Sequence, residues 1–435
     1  MLWLVSGRAE LKAQLARRTG LDVNALPYRS SVLELAREAQ QADRAVILAT
    51  ATHERLARRI AQHIGLFTEV LATAGTDNLK GIAKRDVLVQ RFGEGDFDYV
   101  ADDRSDLPVW SAARKAVLIN PSRAVAKHIR RTAADVDIIR DLPPWLPTLI
   151  TQVRAHQWLK NTLIALPLLA AHGPFTAETL IALAAAFLSF SLCASGVYCL
   201  NDLVDLEADR RSPAKAGRPL AAGALPLGQG IAAGIGLPLL GLAVAAVSLP
   251  ASFLLVLAVY LLLTTTYSLW LKQLVLIDAV ILAMLYTLRI IAGGEAVDVA
   301  LSDWLFAFSL FLFWSLALVK RYTELIERRA DGEESAPGRG YSDSDTELLP
   351  ALGGAAGFIA VLVLALYIQS SHTAELYTHP RWLWLACPVL LYWISRTWLL
   401  AHRRQMHDDP LVYAITDPVS LGAGTTLLVI FVLAL

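Results

Sequence analysis

The chain has 435 residues, with 39 basic side chains against 39 acidic ones, so no net field draws it toward nucleic acid or an acidic partner. Hydrophobic residues make up 55% of it, too many for a water-soluble protein of this length, which points to a chain that lives in a bilayer. The three cysteines, Cys193, Cys199 and Cys387, lie in apolar runs, so neither a disulfide framework nor a zinc site is expected.

In chain order, "MLWLVSGRAELKAQ" reaches charge too soon for a secretory signal, and the first segment is expected in the cytoplasm. The short apolar runs "RAVILATA", "TEVLAT", "FDYVADD" and "KAVLIN" read as buried strands, with helices over Glu54 to Ile64 and Leu107 to Arg114. Strands alternating with helices predict a Rossmann-like α/β domain over residues 1–135. Residues 136–149, with the proline-rich "LPPWLP", read as a linker, and residues 150–435 as an all-α membrane domain. Apolar stretches recur there at about 155–172, 178–200, 228–248, 251–268, 274–293, 303–319, 352–370, 383–400 and 418–435. A hydrocarbon core of about 30 Å needs about 20 helical residues, so about nine transmembrane helices are predicted. Arginines and lysines crowd the connections after the even-numbered helices, while the opposite connections offer only Arg381. That asymmetry places the former, with the N-terminal domain, on the cytoplasmic face of the cell membrane. Arg289 and Arg396 fall inside spans and need a partner or a wet cavity.

The unusual polar residues of the membrane part gather at that face. In "VYCLNDLVDLEADRRSPAKAGRPLAAG", residues 197–223, an apolar helix runs straight into Asn201, Asp202, Asp205 and Asp209. On one continuous helix the three aspartates fall within about 60° of one another, and such a face needs a cation. Mg2+ takes one or two carboxylates and shares its other positions with substrate phosphates. Arg210, Lys215 and Arg218, just beyond, suit those phosphates. "YSLWLKQLVLID" adds Tyr267, Lys272 and Asp278, the last a carboxylate inside an apolar helix that needs a metal or a cation. "VRAHQWLKN" contributes Lys160 and Asn161, and "KRYTEL" contributes Lys320 and Arg321. Tyrosine, tryptophan and lysine also serve as plain interfacial anchors, and only their joint occurrence makes a basic ring around an acidic centre. A transporter would place such groups near mid-membrane instead.

"NDLVDLEADR" resembles the N-D-x-x-D-x-x-x-D signature of the UbiA-type intramembrane prenyltransferases, and the likeness extends over residues 150–435. It implies a Mg2+-bound diphosphate donor held by Asn201, Asp202, Asp205 and Asp209, with Asp278 assisting. "YSLWLK" and "DRRSPAKAGRPLAAG" are similar to motifs of the decaprenyl-phosphate phosphoribosyltransferases, with Ser212 where histidine is usual. That branch implies transfer of 5-phosphoribose from phosphoribosyl diphosphate to a polyprenyl phosphate. Lys215, Arg218 and Arg210 would then grip the donor, and Lys272 with Lys320 or Arg321 the acceptor. The alternative is transfer of a prenyl group from a prenyl diphosphate to an aromatic, quinone-precursor or other small acceptor. The N-terminal part resembles haloacid-dehalogenase-type (HAD-like) hydrolases, with Thr50 in "VILATAT", Lys80 or Lys84 in "NLKGIAK", and Asp102 and Asp106 in "YVADDRSDLPVW". The D-x-D nucleophile motif is missing, so no phospho-aspartate is expected and the site reads as vestigial or truncated.

Overall fold

The computed structural model describes residues 20–74, 78–331, 340–406 and 409–435; the opening "MLWLVSGRAELKAQ" lies outside them. The chain divides into two units, Met1–Thr148 with Leu206–Leu225, and Leu149–Asp205 with Pro226–Leu435.

In the first unit, α1 (Ser30–Gln41), β1 (Ile47–His53), α2 (Glu54–Ile64), β2 (Glu69–Thr73) and α3 (Ile82–Phe92) alternate. They are followed by β3 (Asp98–Ala101), α4 (Leu107–Ala112), β4 (Lys115–Ile119), α5 (Arg123–Thr132) and β5 (Asp135–Ile139). The four expected strands are therefore present, and every pairing is parallel. They form two small sheets, β1–β2 and β3–β4–β5. β5 pairs in register with β4 from Lys115–Asp135 to Ile119–Ile139, so the segment read as a linker supplies a strand and the unit runs past residue 135. The prolines mask this in the sequence, because they begin four residues after the strand ends. Trp110, Leu118 and Ile129 are fully buried between sheet and helices. Helix ends follow local chemistry: His53 caps α2 and Gly65, at φ 70°, closes it in the left-handed region that glycine tolerates.

The second unit is helical. After α6 (Trp145–Gln152), which begins in the first unit, residues Ala155–Ala165 form a 3₁₀ run and α7 covers only Leu166–Ala170. The long helices are α8 (Ala177–Val204), α10 (Leu227–Ser248), α11 (Ala251–Leu269), α12 (Ile277–Val297), α13 (Asp303–Asp331), α14 (Leu348–Ile368) and α16 (Ala386–His402). The short α9 (Leu206–Arg211) follows α8 in the chain and belongs to the first unit, and α15 (Ser371–Leu376) precedes α16. Last come α17 (Pro410–Thr416) and α18 (Pro418–Ala434), bent by 79° at Asp417. Among the described residues seven helices are long and apolar enough to cross a membrane, or eight if the bent pair is one span.

The difference from nine lies at the first expected span. Arg154 takes φ 52° and Pro167 restarts the chain as α7, while Lys160 and Asn161 between them are turned inward. Eleven 3₁₀ residues and five α-helical ones still extend about 30 Å, the depth of a hydrocarbon core. The segment packs closely on Gly293 of α12. A methyl there would lie 2.0 Å from the carbonyl oxygen of Ile164. Gly293→Ala is therefore expected to cost about 1–3 kcal/mol through overpacking. Thermal unfolding in detergent reads this as a drop of several degrees, whereas Gly236→Ala, which meets nothing within 4 Å, leaves the midpoint unchanged or higher.

α8 and α12 are the most enclosed spans. α8 also packs closely on α10, where a methyl at Gly196 would meet the ring of Pro238 at 2.2 Å. The in-span charges have partners. Arg396 donates to both oxygens of Asp417 at 2.6 and 3.1 Å, and Arg289 donates to Asn161 Oδ1 at 2.8 Å and to the Tyr260 hydroxyl at 3.1 Å. The three cysteines are free and buried.

Candidate active site

α8 stops at Val204, and Asp205 is its C-cap, donating its backbone N–H to the Asn201 carbonyl at 2.8 Å. Asp209 lies in α9, so the three motif aspartates do not share one continuous helix face. The physical reason is the helix dipole: carboxylates in a last turn oppose its negative end, and extending the helix would stack a third one there. Cations offset the two that remain. Asp202, 3% exposed, accepts from Arg154 Nη2 at 2.5 Å and Gln152 Nε2 at 2.9 Å. The Arg154 guanidinium also lies over the Tyr198 ring, 4.9 Å from its centroid. Asp205 is more open; Lys272 Nζ reaches its two oxygens at 3.0 and 3.1 Å, and Asn201 Nδ2 donates to it at 3.1 Å.

A second cationic group joins three distant segments. Lys160 Nζ and Lys320 Nζ both donate to Asp409 Oδ2, at 2.8 and 2.9 Å, with the Tyr286 hydroxyl 3.5 Å from Oδ1. Burial pushes the Asp409 carboxyl upward, but the Lys320 and Lys160 ammonium groups outweigh it and hold the group well below the usual carboxylate range. Beside Lys160, Asn161 donates to the Ser191 hydroxyl at 3.0 Å and so orients its oxygen toward Arg289. Asp409 was not legible as a site residue. Its only local signal is the following Pro410, which marks a helix start that the Asp409 side chain caps through Leu411 N–H at 3.2 Å.

Asp278 is fully buried, in ion-pair contact with Arg321 Nε, and it accepts the Tyr341 hydroxyl at 2.6 Å. Arg321 in turn donates to Tyr267 at 2.8 Å and Glu324 at 2.6 Å. The buried carboxylate thus has its cation, and that cation is an arginine. The structure joins Tyr267, Asp278 and Arg321 into one network; Lys272, read alongside them, goes instead to Asp205.

The rest of the motif belongs to the first unit. There Arg218 Nη1 donates to the buried Asp209 at 2.6 Å, Arg210 Nε donates to the Ala221 carbonyl at 3.2 Å, and Lys215 is exposed. In the same unit Lys84, rather than the exposed Lys80, is buried, donating to Asp106 at 2.8 Å and to the Tyr99 hydroxyl at 2.9 Å. Burial and the Asp106 carboxylate push the Tyr99 phenol far above its ordinary value, which keeps it a neutral donor to Asp106. Asp102 is exposed, and Thr50 Oγ1 accepts from the backbone of Thr52 at 3.1 Å.

Among the described residues, no three carboxylate, histidine or cysteine groups converge as a metal cage. The open Asp205 carboxylate with the Asn201 amide is nevertheless a hard oxygen donor set, and it suits a Mg2+ ion that shares its remaining positions with a substrate's phosphates. Asp278, sealed by Arg321 and Tyr341, does not offer that access.

The model of the UbiA prenyltransferase family matches residues 161–337. The protein y4nM of Sinorhizobium fredii is 36% identical over 99% of this chain and 83% of its own length. The decaprenyl-phosphate phosphoribosyltransferase of Corynebacterium glutamicum is 37% identical over 42% of this chain and 56% of its own. A UbiA homolog from Archaeoglobus fulgidus bound to GPP and Mg2+ shares the fold, with a TM-score of 0.50 at 15% identity, over 65% of this chain and 99% of that one. With a near full-length relative, a matched family segment and a shared helical fold, the chain is a multi-pass membrane protein that belongs to the UbiA prenyltransferase family.

Proposed function

We propose that the protein is a Mg2+-dependent phosphoribosyltransferase that moves 5-phosphoribose from phosphoribosyl diphosphate to a polyprenyl phosphate at the cytoplasmic face of the cell membrane. The carrying observation is a pair of lysine groupings in the second unit, apart from the arginine pairs at Asp202 and Asp278: Lys272 with Asp205, and Lys160 with Lys320 on Asp409. A prenyl transfer to an acceptor without phosphate, such as a quinone precursor, brings phosphate on one reactant only. Phosphoribosyl transfer brings phosphate on both reactants, and so uses two such groupings. The similarity to the decaprenyl-phosphate phosphoribosyltransferase supports the same choice.

An oxygen of the acceptor phosphate attacks C1 of the ribose, the bond from C1 to the diphosphate oxygen breaks, and pyrophosphate leaves. Bound Mg2+ supplies charge stabilisation for that leaving group. Asn201 and Asp205 are the residues that would hold it, with Lys272 beside the departing phosphates. Asp202, fixed by Arg154 and Gln152, anchors the end of α8 on which those groups sit. Lys160 and Lys320 receive the acceptor phosphate. Lipid around the spans accommodates the polyprenyl tail and keeps water from competing as acceptor. The α/β elements from Ser30 to Ile139 are read as a HAD-like domain, in which Lys84 and Asp106 form an ion pair.

The test gives purified protein labelled phosphoribosyl diphosphate, Mg2+ and polyprenyl phosphate. Labelled lipid and released pyrophosphate are expected. No labelled lipid here, together with a prenylated product when a prenyl diphosphate and a quinone precursor are supplied instead, would replace this reading with prenyl transfer.

A further inference from the structure

An open surface cavity of about 340 Å3 in the first unit is lined by Arg123, Lys127, Arg130 and Arg131 of α5, by Arg140 just after β5, all five of them exposed, and by Ile138. That volume lies in the range of small-molecule sites. The four α5 residues follow the spacing i, i+4, i+7, i+8 and so occupy about 100° of the helix, while Val125 and Ile129 bury the opposite face in the core. The helix cannot turn its cations away from the cavity without emptying that core. Helix stabilisation does not account for the charges either. Arg130 and Arg131 in the last turn suit the dipole, but Arg123 sits at its positive end, and the first turn holds no acid. Two neighbouring acids are engaged elsewhere, Asp137 with Lys115 at 2.6 Å and Asp141 with Arg29 at 3.1 Å. Among the described residues none of the five cations makes an ion pair.

We infer that this cavity binds a phosphate-bearing anion, held by the guanidinium forks of Arg123, Arg130, Arg131 and Arg140 and the ammonium group of Lys127. Five like charges in one concavity repel, and a ligand with several phosphate oxygens relieves all of them at once. The chemistry is shared by a soluble phosphate ester and by the headgroup of an acidic phospholipid. The site is independent of the transfer site proposed above and needs no metal.

Hydrogen exchange of the full-length protein in nanodiscs, with divalent metal chelated, reads the backbone of residues 123–140. One arm titrates inorganic pyrophosphate into phosphatidylcholine discs; the other compares phosphatidylglycerol discs with phosphatidylcholine discs. Protection of this segment by pyrophosphate assigns the soluble ester, and protection only in phosphatidylglycerol assigns the headgroup. In either case Arg130→Gln/Arg140→Gln is expected to weaken the effect by about tenfold or more, since each lost charged hydrogen bond contributes about 1.5–3 kcal/mol. Lys127→Gln gives a smaller loss and serves if the double variant unfolds. No protection in either arm, or equal protection in wild type and variants, would overturn the proposal. Because metal is absent throughout, failure here leaves the transfer reading untouched.

Discussion

Asp205→Asn is expected to slow transfer by about 10²- to 10³-fold, the usual cost of removing one group that stabilises developing charge in the transition state. The unfolding midpoint should hardly move. The Asp205–Lys272 pair keeps side-chain exposures of 30% and 21%, and partly exposed pairs contribute about 1 kcal/mol or less. The same change at Asp202 has a different signature. There the carboxylate is 3% exposed and holds Arg154, so neutralising it strands a cation against the end of α8 and lowers stability together with activity. Activity is read as labelled lipid formed per minute over a series of Mg2+ concentrations, and stability by thermal unfolding in detergent. An Asp205→Asn protein that transfers within threefold of wild type would remove that carboxylate from the reaction.

These two aspartates show what the sequence could and could not convey. Strands such as Ile47–His53 and spans such as α12 were legible because composition and length alone define them. The in-span charges were legible as problems, since an arginine in an apolar helix demands compensation wherever it comes from; Arg396 found Asp417 and Arg289 found Asn161 and Tyr260. The break at Asp205 was not legible, because an i, i+3, i+7 spacing assumes a helix that continues, and only the dipole and the partners decide whether it does. Asp409 was illegible for a related reason. Its lysines lie 249 and 89 residues away in the chain, and nothing local marks a carboxylate chosen by contacts of that range. The close approach of Ile164, in the 3₁₀ run at Ala155–Ala165, likewise relies on Gly293, more than a hundred residues further on.

The largest stability effect is expected at Asp278. Asp278→Ala removes the partner of an arginine that is itself buried, and leaving one charge of such a pair uncompensated costs about 3–5 kcal/mol. Arg321 would keep only Glu324 and Tyr267, and the Tyr341 hydroxyl would lose its acceptor. Asp278→Leu combined with Arg321→Met removes both charges and should recover much of the loss, because desolvation of the pair consumes most of its attraction. An Asp278→Asn variant separates two roles for this carboxylate. A carboxylate that bound metal would, when changed to Asn, raise the Mg2+ concentration needed for half-maximal transfer while leaving the fold intact. If the carboxylate holds Arg321 instead, its loss lowers the unfolding midpoint, and the Mg2+ dependence of the surviving protein stays that of wild type. The closed network of Tyr341, Asp278, Arg321 and Tyr267 predicts the second pattern. A shifted Mg2+ requirement with an unchanged midpoint would return Asp278 to the metal.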